Sequence, residues 1–233
     1  MNSVGDSFGW AFRDPQWAGK MIVQGLIAII PIVGWIAMTG WLMLAFENAR
    51  NGRNELPPAG FHLERGIAIF VVFLVYGIVV GIPASVLYGI GGGTAGAFNS
   101  NNAAAAVGSG LFTLAGLLSF AGTLFLAFLT PSLIVHTYHR GFAGGFDVAN
   151  VWRLATVNVS NSVITGLIVF VTSIIGWLGF LCCIGFIFTI PYQNTIDAAA
   201  VAWFERQQAQ PAAPPAPQPP LPQPPPPQQP PAT

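Results

Sequence analysis

The sequence predicts an all-α integral membrane bundle, with two central spanning helices flanked by two helical hairpins broken at Gly and Pro. That makes four to six membrane segments, followed by a disordered C-terminal tail. Three observations lead there. Charged side chains make up 7% of 233 residues, against roughly 25% in a soluble domain. Eight basic and eight acidic groups cannot give such a chain a water-facing surface, whereas a bilayer solvates apolar side chains. No Asp, Glu, Lys or Arg occurs between Lys20 and Glu47, between Arg65 and Arg140, or between Arg153 and Asp197. Each gap exceeds the about 20 helical residues that cross a hydrocarbon core, and the middle one can cross twice. Residues 211–233 hold thirteen prolines and no charge, a composition that cannot bury a core.

The same features exclude other classes. A net charge of zero offers nothing to a phosphate backbone, so no nucleic acid partner is expected. Cys182 and Cys183 are adjacent within an apolar run. They make neither a disulfide framework nor a metal site, and read as small packing residues. The first apolar run follows a mixed-charge stretch with Asp6, Arg13, Asp14 and Lys20 and lacks a small-x-small cleavage site, unlike a signal peptide.

Along the chain, Asp14-Pro15 reads as a helix start, Asp14 capping and Pro15 in the first turn. The first segment covers 21–46 and breaks at Pro31-Ile32-Val33-Gly34-Trp35. Residues 47–65 form a polar connection with Gly52 and Pro57-Pro58 as turn signals. The second segment is 66–88, where Gly77 and Gly81 form a small-xxx-small pair that would admit a neighbouring helix. Residues 89–110, rich in Gly, Asn and Ala, read as a loop. The third segment is 111–135 and continues to His139-Arg140. Asp147 is placed to cap a helix carrying Trp152 and Arg153. The fourth segment, 163–190, is expected to break at Gly176-Trp177-Leu178-Gly179, and a short helix through Asp197 and Trp203 follows Pro191. Residues 1–206 make the membrane domain and 207–233 the tail. Ile32-Val33-Gly34-Trp35 and Ile174-Ile175-Gly176-Trp177 suggest an internal repeat.

Basic residues favour the cytoplasmic side of short loops. If each apolar run crosses once, Arg13, Lys20 and Arg206 lie opposite Arg50, Arg53, Arg65, Arg140 and Arg153. If the first and last runs enter and return at their breaks, all of them share one side. The second arrangement fits the rule better, so both termini are expected in the cytoplasm and the glycine-rich loop outside.

The candidate chemistry is sparse. No carboxylate, ammonium or guanidinium lies inside an apolar gap, which argues against an ion-coupled pump. His136 and His139 sit three apart without a third or fourth ligand, and read as an interfacial pair rather than a metal centre. Asp197, after Gln193 and Asn194, reads as a solvated helix face rather than a cavity wall. Gly91-Gly92-Gly93-x-x-Gly96 lacks a P-loop lysine. No serine sits in a nucleophile elbow. No enzyme activity and no cofactor is expected. In the tail, Pro219, Pro220, Leu221 and Pro222 resemble ligands of aromatic-lined proline grooves, and polyproline II geometry would give the segment a reach of about 70 Å.

Asp14-Pro15-Gln16-Trp17-Ala18-Gly19-Lys20, Ile30-Pro31-Ile32-Val33-Gly34, Gly40-Trp41, then Arg50, Gly52 and Leu56-Pro57 resemble the membrane proteins catalogued as domain of unknown function 4013. Tyr138-His139-Arg140-Gly141 with Phe146 is similar to that family's second half, so the resemblance covers roughly residues 8–206. The chain departs from it in Trp41, where the family usually shows Tyr, and in Pro58-Ala59-Gly60-Phe61, where an acidic, Trp-containing stretch is common. The resemblance implies a prokaryotic cytoplasmic-membrane protein and brings no known activity, and so no functional residues. The leading expectation is a non-enzymatic scaffold or accessory subunit with a partner-binding or spacer tail. The alternative is a passive channel or transporter for a neutral or lipid-like substrate, since broken hairpins at membrane depth build transporter sites.

Overall fold

The computed structural model describes residues 3–97, 102–181 and 184–209, and every regular element among them is helical. The proline-rich segment lies outside the described residues. A short helix α1 (Asp6–Trp10) and a 3₁₀ turn (Ala11–Arg13) lead into α2 (Trp17–Ala28) and α3 (Val33–Arg50). Their elbow falls where Pro31 predicts it. Proline lacks an N–H and disfavours the helical region for the residue before it. The chain turns through Ile32 at φ 63° and ψ −61°, with Val33 N–H donating to the Pro31 carbonyl at 2.7 Å. This is a classic-type γ-turn, a strained conformation and an outlier for a β-branched residue.

The central hairpin is α4 (Leu63–Ala97) and α5 (Asn102–Phe146). Its helices run antiparallel, with Tyr88 against Phe112 (ring centroids 5.6 Å) and Gly122 against Val80. The expected loop over 89–110 is thus corrected: both helices extend into it. Glycine costs a helix about 1 kcal/mol, but in apolar surroundings helical pairing is what satisfies the backbone. A Cβ on Gly91 would lie 3.1 Å from the Gly108 carbonyl, so the missing side chain lets α4 and α5 close together. Near its end α5 kinks at Gly141, whose φ of 59° and ψ of −143° suit only glycine.

Asp147 caps α6 (Val148–Val157) as expected, accepting from Asn150 N–H at 3.2 Å. The last hairpin is α7 (Val159–Leu181) and α8 (Phe186–Ala209). Here the expected break is absent, because α7 runs unbroken through 176–179. No proline precedes that stretch, and its glycines serve as crossing points instead. A Cβ on Gly176 would meet Gln193, and one on Gly179 would meet Thr189 and the Phe186 backbone. The chain leaves α7 only after Leu181, and Pro191 lies inside α8 rather than before it. Cys182 and Cys183 lie outside the described residues.

Beyond their own helix, an added Cβ on Gly77 or Gly81 would meet nothing within 4 Å, so among the described residues no second helix approaches there. Close approaches occur instead at Gly25 on Ile187, Gly40 on His62 and Gly66 on Ile36. These join α2 to α8 and α3 to α4, around a core that includes Trp10, Met21, Trp41, Phe46, Ile69, Ile134 and Phe204. The indole N–H groups of Trp10 and Trp41 donate to the Arg53 and Pro57 carbonyls at 3.0 and 3.2 Å. Both bonds fasten the 51–62 connection over that core. Three helical stretches, Leu63–Gly93, Ala105–Phe146 and Val159–Gly179, are long and apolar enough to cross a membrane. Their outward side chains, such as Val79, Leu117 and Leu167, are exposed and apolar.

Candidate functional site: a cavity over a buried carboxyl

Where α3, α4, α5, α7 and α8 diverge, they enclose a cavity of about 670 Å³. Its walls are apolar: Met38 and Leu42 from α3, Phe70 and Phe73 from α4, Leu126 and Leu133 from α5, Val169 from α7 and Ile190 from α8. Trp35, Leu74 and Trp177 also line it and are exposed, framing a mouth at the surface of the bundle. Two helix faces supply the rest. On α8 Ile190, Gln193, Asn194 and Asp197 follow i, i+3, i+4, i+7, and on α7 Val169, Ser173, Gly176 and Trp177 follow i, i+4, i+7, i+8.

Most polar groups of the lining are bonded to backbone. Thr39 Oγ1 donates to Gly66 O at 3.0 Å, Thr130 to Leu126 O at 2.8 Å and Tyr76 OH to Gly145 O at 3.1 Å. Asn194 Nδ2 donates to Ile190 O at 2.9 Å, and Gln193 Nε2 reaches Ser173 Oγ at 3.4 Å. Asp197 is the one carboxyl of the lining, and its Oδ1 accepts from the side-chain hydroxyl of Thr172 at 2.6 Å. The expectation of a solvated Asp197 is therefore overturned, for the residue is 7% exposed and lines the cavity. It bounds the third charge-free gap, yet its helix turns it inward. The spacing of the α8 face was the available signal. The polar run Gln193 to Asp197 hid it by suggesting an interfacial helix.

The charged residues gather elsewhere, around the outer ends of α3, α5 and α8. Arg50 pairs with Glu205 at 2.8 Å and lies over the Tyr138 ring at 5.5 Å. His139 bonds the other Glu205 oxygen at 2.8 Å, Arg65 pairs with Glu47, and Arg206 reaches Ala49 O at 3.5 Å. Asp14 does not cap α2, whose first turn follows Gln16. Its carboxylate accepts from Gln16 N–H and Leu56 N–H, each at 2.7 Å, and pairs with Lys20 at 2.7 Å. Burial works to raise the Asp14 pKa, but the Lys20 bond and the two amides outweigh it and hold the carboxyl below its usual range. Asp147 is lowered by its bonds to the Asn150 side chain and N–H, with Arg140 adding to them. His136 and His139 do not converge: His139 turns to Glu205, whereas His136 Nε2 is buried without a partner. Among the described residues no cluster of three His, Cys, Asp or Glu side chains could hold a metal. Pro219, Pro220, Leu221 and Pro222 lie outside the described residues.

An all-helical bundle with three membrane-length apolar helices and a cavity between them defines a multi-pass membrane protein. The chain belongs to the family described as protein of unknown function (DUF4013), whose model matches residues 23–187. No curated protein and no solved structure matches it. The matched span contains α3 to α7 whole and ends as α8 begins, so Gln193, Asn194 and Asp197 lie beyond it.

Proposed function

We propose that the bundle is a passive carrier for a lipid-like molecule, held in the cavity with its apolar body against Phe70, Phe73 and Leu133 and its polar end toward Ser173, Gln193 and Asp197. The observation that carries this reading is the cavity itself, which is mostly apolar-walled, takes Ser173, Gln193, Asn194 and Asp197 from α7 and α8, and has exposed Trp35, Leu74 and Trp177 in its lining. Its size suits a drug-sized guest, and such pockets are mostly apolar with a few placed polar groups. Liposomes carrying the purified chain should exchange a fluorescent short-chain lipid faster than protein-free liposomes, and Leu74→Trp at the mouth should slow that exchange. Equal rates with and without protein would sink the carrier reading.

In this reading both termini face the cytoplasm of a prokaryotic cell and the α4–α5 tip faces outward, because Arg13, Lys20, Arg50, Arg65 and Arg206 make contacts around one end of the molecule. In a Cys182/Cys183-free background, an impermeant thiol reagent should label Ser100→Cys and spare Asn51→Cys in intact cells; the opposite pattern would reverse the orientation. A second, compatible role is supported by composition alone: the thirteen prolines of 211–233 suit a spacer or a ligand for a proline-binding domain of a partner, making the chain a scaffold or accessory subunit as well. Truncation after Gln210 should abolish capture of such a partner, and unchanged capture would leave the segment a spacer.

A further inference from the structure

We infer that the cavity takes an organic cation, a protonated or quaternary amine on an apolar body, with Asp197 as its counter-ion. The inference rests on the carrier reading and adds the charge of the guest. Asp197 lines the cavity and is 7% exposed, and none of the ion pairs found among the described residues includes it. No Lys, Arg or His lines the cavity. A lone carboxylate in such surroundings is costly unless a cation meets it. The same cavity is lined by the rings of Trp35, Phe70, Phe73, Tyr76 and Trp177, whose faces attract cations and whose bodies suit an apolar guest.

The Thr172 hydroxyl lets the carboxyl change its protonation state in place. Its oxygen lies 3.0 Å from the Val169 carbonyl and 2.6 Å from Asp197 Oδ1, but a hydroxyl has one hydrogen to give. With Asp197 ionised, that hydrogen turns to the carboxylate. With Asp197 protonated, the acid donates to Thr172, which keeps its own hydrogen on Val169. Both states are hydrogen-bonded without moving a heavy atom. An arriving cation therefore takes the place of a proton: the acid O–H bond breaks, the proton leaves to water, and the site's net charge is unchanged.

Few other groups compete. Of the remaining lining residues only Tyr76 titrates, and its hydroxyl donates to Gly145 O. Among the elements packed on α8, α7 brings no charged or titratable side chain, and Lys20 on α2 is held by Asp14. Glu47 and Arg50 on α3 pair with Arg65 and Glu205, and His139 on α5 pairs with Glu205. Asp6 on α1 accepts from Ser3 N–H, and His136 on α5 lies beyond Leu133, one helical turn from the lining.

The test compares tetraphenylphosphonium with neutral triphenylphosphine oxide by equilibrium dialysis against the full chain in nanodiscs, with empty nanodiscs subtracted. The wild type should bind the cation at least about tenfold more tightly than the oxide. Its cation affinity should fall toward about tenfold per pH unit on acidification below the carboxyl's pKa, while oxide binding stays constant. Asp197→Asn should lose the preference for the cation and keep the oxide. Equal wild-type affinities, or a preference that survives Asp197→Asn, would overturn the inference and leave the carrier reading standing. Binding of neither probe would likewise overturn the inference, and the carrier reading would still be decided by lipid exchange.

Discussion

In the first hairpin α2 stops at Ala28 and the chain turns at Ile32 before α3; in the last, α7 carries the related tetrapeptide Ile174-Ile175-Gly176-Trp177 through as unbroken helix. Proline accounts for the difference. Pro31 precedes the first motif and nothing like it precedes the second, so a shared glycine does not mean a shared break. What the motifs share is a contact and a position. Gly34 lies against Ile27 and Ala28 of its own hairpin, Gly176 lies against Gln193 of α8, and both Trp35 and Trp177 end at the mouth of the cavity. The two tetrapeptides are thus alike in where their side chains stand and unlike in backbone.

The largest effect should come from separating the hairpins. A Cβ at Gly25 would sit 1.7 Å from the Ile187 carbonyl, backbone that cannot step aside. Gly25→Leu should cost at least about 3 kcal/mol and abolish the monodisperse peak on size exclusion in mild detergent, whereas Gly77→Leu, with open space, should leave it intact. Making the second motif imitate the first comes next. Ser173→Pro, at the position that matches Pro31, removes a helical bond from α7 and should cost about 3 kcal/mol, read as a lower melting temperature. An unchanged value would mean that α7 already bends there.

The hairpins are also fastened differently at their charged ends, the first through Asp14 to Lys20 and Leu56, the last through Glu205 to Arg50 and His139. Asp14→Ala should cost about 2 kcal/mol near neutral pH. Because the folded Asp14 pKa lies below its ordinary 3.8, its contribution is present above that value and lost as pH falls through the folded pKa. The gap between wild type and Asp14→Ala should therefore close in acid, and a constant gap would contradict the ion pair. The smallest effect is a gain. Ile32→Gly relieves the γ-turn and should stabilise the first hairpin by about 1 kcal/mol, while a loss would show the Ile32 side chain to be needed where it stands.

Charge-free gaps made α4 and α5 legible, Pro31 marked the first elbow, and Asp147 marked the start of α6, because each is a local effect of hydropathy, ring chemistry or capping. Residues 89–110 misled because an uncharged Gly/Ala stretch is a loop in water and helix where a partner helix approaches; the approach at Gly91 depends on residue 108, too distant for a local pattern to register. The same holds for 176–179, whose glycines answer to α8. Asp197 was visible only as a spacing. Its direction depended on Ala198, Ala199 and Ile196 being fully buried, which follows from how α8 sits between α3 and α7.

The length of the central hairpin has a consequence for its host. The membrane-length stretch Leu63–Gly93 has 31 residues; from Gly66, past the charged Glu64 and Arg65, the remainder is about 42 Å of helix, against a hydrocarbon thickness of about 30 Å. The surplus must be absorbed by leaning, by bending at Pro83 or by stretching the surrounding lipid. Thin membranes force α4 and α5 to lean further and thick ones let them stand. Since Phe70, Phe73 and Leu126 on those helices are also walls of the cavity, acyl-chain length becomes a mechanical input to the site.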